Sequence, residues 1–214
     1  MLDFHGEALV AQYQLSTGKY ISRKFGKIAF DVALSLLLLV PLALIALFLI
    51  CANPFFNAGP LLFRQTRMGQ GCRPFVAFKF RTMAKAGLVK RGAFDALETD
   101  RISDFGRFLR RTRLDELPQI INVLRGEMSL IGPRPDSYDH ARVYLQHVPG
   151  YALRYRAVPG ISGFAQIEVG YVEGREGIIR KVNADLFYLS QASFLFDMWI
   201  TWRTLCVVLG RKGS

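Results

Sequence analysis

The sequence predicts an α+β, mostly helical, monotopic membrane protein, in which one helix enters a single leaflet and a separate domain stays on the same side. Three observations support this prediction. A run of 21 uncharged residues, 32–52, carries Pro41 at its midpoint. Basic residues flank the run on both sides, and later segments alternate short apolar runs with turn residues and amphipathic stretches. The predicted organisation is therefore a lead-in and re-entrant membrane helix over residues 1–52 and one cytoplasmic domain over residues 53–214.

The apolar run is long enough to be a membrane segment. At about 1.5 Å per residue it would be about 32 Å long, which matches a bilayer core of about 30 Å. Its 14 Leu, Ile, Val and Phe residues favour membrane insertion by roughly 4 to 8 kcal/mol. Pro41 removes one backbone donor and clashes with the preceding turn, so we expect a kink between two arms of about 15 Å, each reaching only mid-bilayer.

The charge distribution indicates that both ends of the membrane helix face the cytoplasm. Four basic residues precede the apolar run, and residues 53–94 hold eight basic residues without one Asp or Glu. A spanning helix is expected to have one flank that is poorer in Lys and Arg. A single kinked helix that spans the bilayer is the alternative, because prolines are tolerated in ordinary transmembrane helices.

The net charge of +11 and the pI near 9.9 would suit a nucleic-acid-binding protein, but the apolar run favours another partner. Anionic headgroups attract each juxtamembrane Lys or Arg by about 1 kcal/mol, so the same charge suits membrane lipids and phosphorylated substrates. No recognised nucleic-acid-binding motif occurs, and we expect no nucleic-acid partner. The three cysteines lack CxxC spacing and the three histidines lack metal-ligand spacing, which predicts reduced thiols and no zinc site.

A β-hairpin is predicted early in the cytoplasmic domain. Two short apolar runs, 60–63 and 75–80, flank a segment with the turn residues Gly69, Gly71 and Pro74. Glycine and proline interrupt regular structure and mark turns, so the two runs are expected to pair as strands.

Helices are predicted over residues 104–111 and 114–124. Asp115 lies near the N-cap of the second helix and Gly126 follows its end, as expected for residues that start and stop helices. Residues 184–209 form a longer amphipathic stretch that is rich in aromatic residues and interrupted by two charges. This composition suits an interfacial helix in the headgroup plane; an amphipathic helix packed on the protein core is the alternative.

The densest group of chemically useful residues is RRTRLDELPQIINVLRGEMSLIGPRP, residues 110–135. Asp115 and Glu116 are adjacent carboxylates, and arginines lie both before and after them. Arginine forms bidentate hydrogen bonds with phosphate, and nearby arginines are expected to keep carboxylates ionised. Acidic residues in the first turn of a helix can also simply complement the helix dipole, and the sequence leaves that alternative open.

Adjacent carboxylates suit phosphoryl transfer better than glycoside hydrolysis. An ionised aspartate can attack a phosphoryl group and form an acyl-phosphate. Mg²⁺ typically binds one or two carboxylates together with substrate phosphates. Glycosidase carboxylates, in contrast, lie about 5 to 9.5 Å apart across a substrate, a separation that neighbours at one helix start do not provide.

Five motifs follow one another along the chain: KIAFDVALSLLLLVPLALIA, FKFRTM at 78–83, LRRTRLDELPQIINVL at 109–124, GEMSLIGPRP at 126–135 and PGISGFAQI at 159–167. In this order they resemble the motifs of the small monotopic phosphoglycosyl transferases of the bacterial sugar transferase family. The resemblance extends from about residue 24 to residue 209. Val40 before Pro41, Arg113 and Glu127 differ from residues often found in the family, and these differences leave the carboxylate pair intact.

The resemblance implies an activity and a set of site residues. Such enzymes transfer a phospho-sugar from a UDP-sugar to a polyprenyl phosphate, usually undecaprenyl phosphate, and release UMP on the cytoplasmic face of the bacterial inner membrane. This is the first membrane step of glycoconjugate or exopolysaccharide synthesis, and it uses a covalent aspartyl intermediate and Mg²⁺. By resemblance, catalysis and metal binding fall on Asp115 and Glu116, phosphate binding on Lys79, Arg81 and Arg110, and nucleotide binding on Pro133, Arg134 and Pro135.

Two other functions are left open by the sequence. One is a catalytically inert membrane adaptor, in which the carboxylate pair would have no use. The other is a nucleotide-sugar glycosyltransferase, which forms a glycosidic bond and releases UDP instead of UMP. The sequence does not determine the sugar, the pathway or the exact Mg²⁺ ligands. It also leaves open whether the protein forms a homo-oligomer.

Overall fold

The polypeptide combines a long apolar helix with a domain of short helices and two small sheets, as expected for the predicted α+β, mostly helical class. The computed structural model describes residues 25–56, 59–83, 92–95, 99–170 and 172–210, so most of the predicted lead-in lies outside the described residues. The elements are α1 (Phe25–Phe56), β1 (Leu62–Met68), β2 (Pro74–Phe80), α2 (Asp104–Arg111), α3 (Ile120–Leu124), β3 (Ser129–Ile131), α4 (Tyr138–His147), β4 (Gly160–Ser162), α5 (Phe164–Glu168), α6 (Gly174–Gln191) and α7 (Phe194–Leu209), with 3₁₀ helices at Gln70–Cys72, Thr99–Arg101, Leu114–Gln119 and Tyr151–Arg156.

Helix α1 contains the whole apolar run 32–52, including Pro41, and extends beyond it at both ends. Its buried residues include Ser35, Leu42 and Leu49, whose spacing of seven places them on one face. Most other apolar side chains of α1 are exposed, and only 17% of its most apolar window is buried. A core helix of a soluble protein would be mostly buried; α1 has the length and composition of a membrane helix.

Polar contacts join the N-terminal part of α1 to the domain. The buried Asp31 carboxylate accepts a hydrogen bond from Ser129 Oγ on β3 at 2.7 Å. Lys27 Nζ donates to the Ile131 carbonyl at 3.0 Å and to the carboxylate of Asp197 on α7. Because a buried charge is costly unless it is paired, these contacts hold α1 against β3 and α7.

The predicted hairpin is confirmed, but its first strand is β1 (Leu62–Met68) and extends well beyond the predicted run 60–63. β1 and β2 pair in antiparallel fashion, with Phe63 opposite Lys79. The side-chain amide of Asn122 on α3 binds the other edge of β2, accepting from Phe78 N–H at 3.2 Å and donating to the Val76 carbonyl at 2.7 Å. The amide therefore satisfies strand groups that would otherwise lack a ladder partner, and it fixes the hairpin against α3.

A second sheet, which the sequence pattern does not predict, pairs β3 with β4 in parallel. Ser129 lies opposite Gly160, and Ile131 lies opposite Ser162. Gly160 is needed here because a Cβ atom at this position would come within 2.1 Å of Gly132 N. This sheet packs into the main apolar core together with side chains of α4, α5, α6 and α7.

The helix predicted over residues 104–111 is confirmed. The α-helix predicted over residues 114–124 is wrong for its first half, which is a 3₁₀ helix. Residues Leu114–Gln119 form a 3₁₀ helix, and α3 follows it. Pro118 lacks the N–H that an α-helix would pair with the carbonyl four residues earlier, and its ring crowds that carbonyl, which favours tighter turns. Gly126, at φ +74°, follows the end of α3 as predicted.

The stretch predicted as one helix over residues 184–209 is two helices, α6 and α7. The chain breaks at Ser193, whose side chain accepts a hydrogen bond from Phe196 N–H at 3.2 Å and caps α7. Helix α7 buries Ile200 completely in the core while Leu195 and Trp202 are 80% and 66% exposed. One face of α7 is therefore a core face, and its opposite face presents large apolar side chains outward.

Candidate active site

The two adjacent carboxylates lie in the 3₁₀ helix Leu114–Gln119, which packs against β2. Arg113, immediately before this helix, has a left-handed backbone conformation with φ +57°. Asp115 and Glu116 are each only 6% exposed. The turn therefore brings two carboxylates into a largely water-excluded position, where each depends strongly on its neighbours for compensation.

Glu116 is surrounded by cations. Its carboxylate accepts from Lys79 Nζ at 2.8 Å and from both terminal nitrogens of Arg134, and Arg113 Nη1 lies 3.6 Å away. Burial favours the neutral acid, but Arg134 and Lys79 outweigh it and hold the pKa of Glu116 well below its usual range. Glu116 is therefore an ionised anchor for these basic side chains.

Asp115 has the opposite environment. Among the described residues its carboxylate makes no hydrogen bond and no ion pair. Burial raises the pKa of Asp115 to about 6, although Lys79 opposes this shift. The arginines therefore do not hold the two carboxylates ionised to the same extent: Glu116 takes the charged hydrogen bonds, and burial leaves Asp115 ionised only above about pH 6.

The basic residues expected to bind phosphate do not all lie at this site. Lys79 contacts Glu116, and burial lowers the Lys79 pKa to about 8. Arg110 donates through Nε to Thr82 Oγ1 at 2.9 Å, and its charge lowers the pKa of Asp115. The Arg81 side chain instead donates to the backbone carbonyl of Pro60 at 2.8 Å, at the start of the hairpin.

The Pro133–Arg134–Pro135 segment follows β3 and lies beside the carboxylates. The Pro133 carbonyl accepts from Gly160 N–H at 3.0 Å. The Arg134 guanidinium donates to Glu116 and to the Ile161 carbonyl at 2.9 Å. Arg134 is therefore an internal link between this segment and the carboxylate pair, a contact that the sequence motif does not reveal.

Sequence reasoning missed two basic residues that support the segment. Arg154 is completely buried, and its guanidinium donates to the Arg134 carbonyl at 2.7 Å and pairs with the Asp136 and Asp185 carboxylates. Arg67 on β1 donates to the Pro135 carbonyl. Strand alternation puts residues 67 and 79 on the same face of the hairpin, a signal that could have identified Arg67; the sequence carries no comparable signal for Arg154.

The donor set fits a Mg²⁺ ion that is held mainly by substrate. No group of three or more His, Cys, Asp or Glu side chains with metal-binding spacing occurs in the described ranges. Within the ranges that the structure describes, Asp115 offers a carboxylate without competing partners, and Glu116, although bonded to cations, is adjacent to it. One or two carboxylates completed by phosphate oxygens and water are the usual protein ligands of Mg²⁺.

Comparison with protein families identifies the chain. The family model described as "Bacterial sugar transferase" matches residues 22–211, which is nearly the whole sequence and includes every site residue discussed above. The chain belongs to the bacterial sugar transferase family. The resemblance noted from the motifs is thereby confirmed.

Three relatives illustrate the family. The chain is 40% identical over 182 residues to "UDP-glucose:undecaprenyl-phosphate glucose-1-phosphate transferase" of Escherichia coli strain K12, covering 84% of this chain and 39% of that protein. It is 37% identical over 159 residues to "UDP-N-acetylgalactosamine-undecaprenyl-phosphate N-acetylgalactosaminephosphotransferase" of Aeromonas hydrophila, covering 74% of this chain and 37% of that protein. It is 36% identical over 194 residues to "Exopolysaccharide production protein PSS" of Rhizobium leguminosarum bv. phaseoli, covering 87% of this chain and 97% of that protein.

The contrast between the two carboxylates predicts opposite effects on stability. At pH 8, Asp115→Asn should leave the thermal midpoint unchanged or raise it, because it removes a desolvated charge. Glu116→Gln should lower it by roughly 6 to 20 °C, since losing one partner of a buried ion pair costs about 3 to 5 kcal/mol. Thermal unfolding followed by tryptophan fluorescence in nanodiscs, without Mg²⁺, measures both effects.

The pH dependence of the Asp115→Asn effect is a control. A carboxyl group whose folded pKa is raised from 3.8 to about 6 destabilises the fold fully above pH 6 and ceases to do so near pH 4. The advantage of Asp115→Asn should therefore shrink as the pH falls from 8 to 4. A lower thermal midpoint for Asp115→Asn than for Glu116→Gln at pH 8 would contradict the different environments of the two carboxylates.

Proposed function

We propose that this protein transfers a sugar 1-phosphate from a UDP-sugar to undecaprenyl phosphate and releases UMP, as the first membrane step of glycoconjugate or exopolysaccharide synthesis. The observation that carries the proposal is the buried Asp115, without a partner in the described chain, beside a cation-bound Glu116. The printed names of the Escherichia coli and Aeromonas hydrophila relatives support the reaction class. Because those two names differ in the sugar, glucose and N-acetylgalactosamine, the sugar is left unspecified.

The proposed reaction has two phosphoryl-transfer steps. In the first, an Asp115 carboxylate oxygen attacks the phosphorus that bears the sugar, the bond from this phosphorus to the bridging oxygen of the diphosphate breaks, and UMP leaves with that oxygen. In the second, a phosphate oxygen of undecaprenyl phosphate attacks the same phosphorus, and the aspartyl bond breaks. The products are a polyprenyl diphosphate sugar and a regenerated Asp115 carboxylate, so one difficult transfer becomes two easier ones.

The surrounding side chains have distinct roles in this reaction. Glu116 holds Lys79 and Arg134 in place through its ion pairs, and Lys79 and Arg110 provide positive charge near Asp115. The raised pKa of Asp115 reflects an ionised form that is poorly solvated in the protein, which suits a nucleophile. Mg²⁺, with Asp115 and Glu116 as its protein ligands, would neutralise charge on the diphosphate and the departing UMP.

The same proposal places the protein on the cytoplasmic face of the bacterial inner membrane, with α1 re-entrant. Asp31 contacts β3, whereas Leu49 packs in a cluster with Phe80 of β2 and Leu109 of α2. These two α1 residues are about 27 Å apart along a helix. A helix that carried Leu49 to the far side of a bilayer would lose that cluster, so contacts along its length support entry and exit on one side.

Helix α7 is proposed to lie in the headgroup plane. Its Leu195 and Trp202 side chains are largely exposed, and Arg203 lies 5.3 Å from the ring centre of Trp199. Exposed tryptophan and leucine next to arginine are typical of amphipathic helices at membrane surfaces. The core face of α7 keeps this surface fixed relative to the site.

The covalent step predicts a burst. With labelled UDP-sugar and without undecaprenyl phosphate, the protein should release about one UMP per active site and retain the labelled phospho-sugar. Asp115→Asn lacks the anionic oxygen and should form no adduct. Glu116→Gln should form the adduct slowly, because Lys79 and Arg134 lose the carboxylate that holds them in place. Nucleotide chromatography and protein-bound label measure the two products across a panel of UDP-sugars.

Three outcomes would contradict the proposal. Release of UDP would favour a glycosyltransferase, and absence of any nucleotide product would favour an adaptor. UMP release that requires both substrates together would favour direct attack by the lipid phosphate. Arg73→Gln, which changes an exposed residue of the hairpin turn, is the matched control and should retain the burst.

The pKa directions at the site predict a bell-shaped pH profile. The kcat/KM for UDP-sugar should rise with pH as Asp115 ionises near 6 and fall as Lys79 loses its proton near 8. Lys79→Arg should move the alkaline limb to higher pH, because arginine stays charged. Raising Mg²⁺ should shift the acidic limb to lower pH if Asp115 contacts the metal; a flat profile between pH 5 and 9 would contradict both assignments.

The re-entrant arrangement predicts the same sidedness for both flanks of α1. Single cysteines at Lys19 and Arg73, in a chain whose native cysteines are replaced by serine, should both resist an impermeant thiol reagent in intact cells. Both should react after the inner membrane is permeabilised. Labelling of Lys19→Cys alone in intact cells would establish a spanning helix. Adding Pro41→Leu, which removes the expected kink, should promote that labelling.

A further inference from the structure

Arg67 is a basic residue whose place in the site is not explained by the roles assigned above. It lies near the end of β1, and its backbone forms a bridge to Ser137 just after the Pro133–Arg134–Pro135 segment. The Met68 N–H donates to the Asp136 carbonyl at 3.1 Å, which adds a second backbone contact. These contacts fix the Arg67 side chain next to the segment that carries Arg134.

The hydrogen bonds of Arg67 use only neutral acceptors. Nη1 donates to the Pro135 carbonyl at 2.5 Å, and Nε and Nη2 donate to Gln65 Oε1 at 3.2 and 3.0 Å. A guanidinium has five N–H donors, so one N–H on each terminal nitrogen has no acceptor within the part of the chain that the structure describes. Within that part, no carboxylate forms an ion pair with Arg67 either.

The nearby carboxylates are already committed to other cations. Glu116 pairs with Lys79 and Arg134, while Asp136 pairs with Arg154 and Lys181. Burial, reinforced by the charge of Arg134, lowers the pKa of Arg67 to about 10. Arg67 itself is half-buried, so a ligand can reach its guanidinium, and a phosphate group would supply two oxygens for the two N–H donors that have no acceptor in the described chain.

We propose that Arg67 is a substrate-binding residue that donates hydrogen bonds to the diphosphate of the UDP-sugar donor. The proposal rests on the proposed function and extends it to a residue outside the predicted phosphate-binding set. Arg67 would act together with Lys79 on the same face of the hairpin. Its contacts with Gln65 and Pro135 orient the guanidinium before the substrate arrives, so little side-chain entropy is lost on binding.

The test is direct binding of UDP, UMP and uridine to the full chain in nanodiscs, measured by calorimetry. Arg67→Gln should weaken UDP binding by about 10- to 100-fold, as expected for loss of hydrogen bonds to a charged group. Uridine binding should change by less than about threefold, because uridine lacks the phosphates that Arg67 contacts. Arg67→Lys keeps the positive charge but loses the bidentate hydrogen bonding of the guanidinium, and should weaken UDP binding by an intermediate factor.

Arg73→Gln is the matched control on the same hairpin and should bind all three compounds like the parent protein. Equal losses for UDP and uridine in Arg67→Gln would assign Arg67 a purely structural role and overturn the proposal, as would unchanged UDP affinity. If Arg67→Gln fails to fold, the comparison of UDP with uridine in Arg67→Lys decides in the same way. A parent protein that binds no UDP would instead contradict the proposed function.

Discussion

The ion pair between Arg134 and Glu116 is the contact on which the site depends. The Arg134 guanidinium links the segment after β3 to the carboxylate pair, which belongs to a different part of the chain. The Arg134 carbonyl is in turn held by the completely buried Arg154, whose own charge is balanced by Asp136 and Asp185. Removing one member of such a network leaves its partners charged and desolvated, so its members are expected to act cooperatively.

The network also gives two adjacent carboxylates different chemistry. Glu116 forms ion pairs with the basic side chains, which hold its pKa well below the usual range. Asp115 has no partner in the described chain, and burial raises its pKa to about 6. Pairs of titratable groups whose environments push their pKa values apart commonly divide the tasks of a site between them. In the proposed reaction, Glu116 would hold the basic side chains in place and Asp115 would be the nucleophile.

The apolar helix α1 is connected to this arrangement through β3. Asp31 and Lys27 bind Ser129 and Ile131, the first and last residues of the strand that leads directly into the Pro133–Arg134–Pro135 segment. Further along α1, Leu49 packs with side chains of the hairpin and α2. The position of α1 relative to the carboxylates is therefore set by polar contacts at one part of the helix and by apolar packing at another.

The sequence by itself determined the apolar helix, the presence of a hairpin and the choice of Asp115 and Glu116 as the candidate site, because composition, turn residues and charge clustering are local properties of the chain. It did not determine the parallel β3–β4 sheet, the hydrogen bond from Arg81 to the Pro60 carbonyl, or the hydrogen bonds by which Arg67 and Arg154 support the Pro133–Arg134–Pro135 segment. Only the tertiary structure decided which carboxylate is ionised at low pH. Desolvation and ion pairing depend on residues that are distant in sequence, such as Lys79 and Arg134 around Glu116, and no local pattern records their approach.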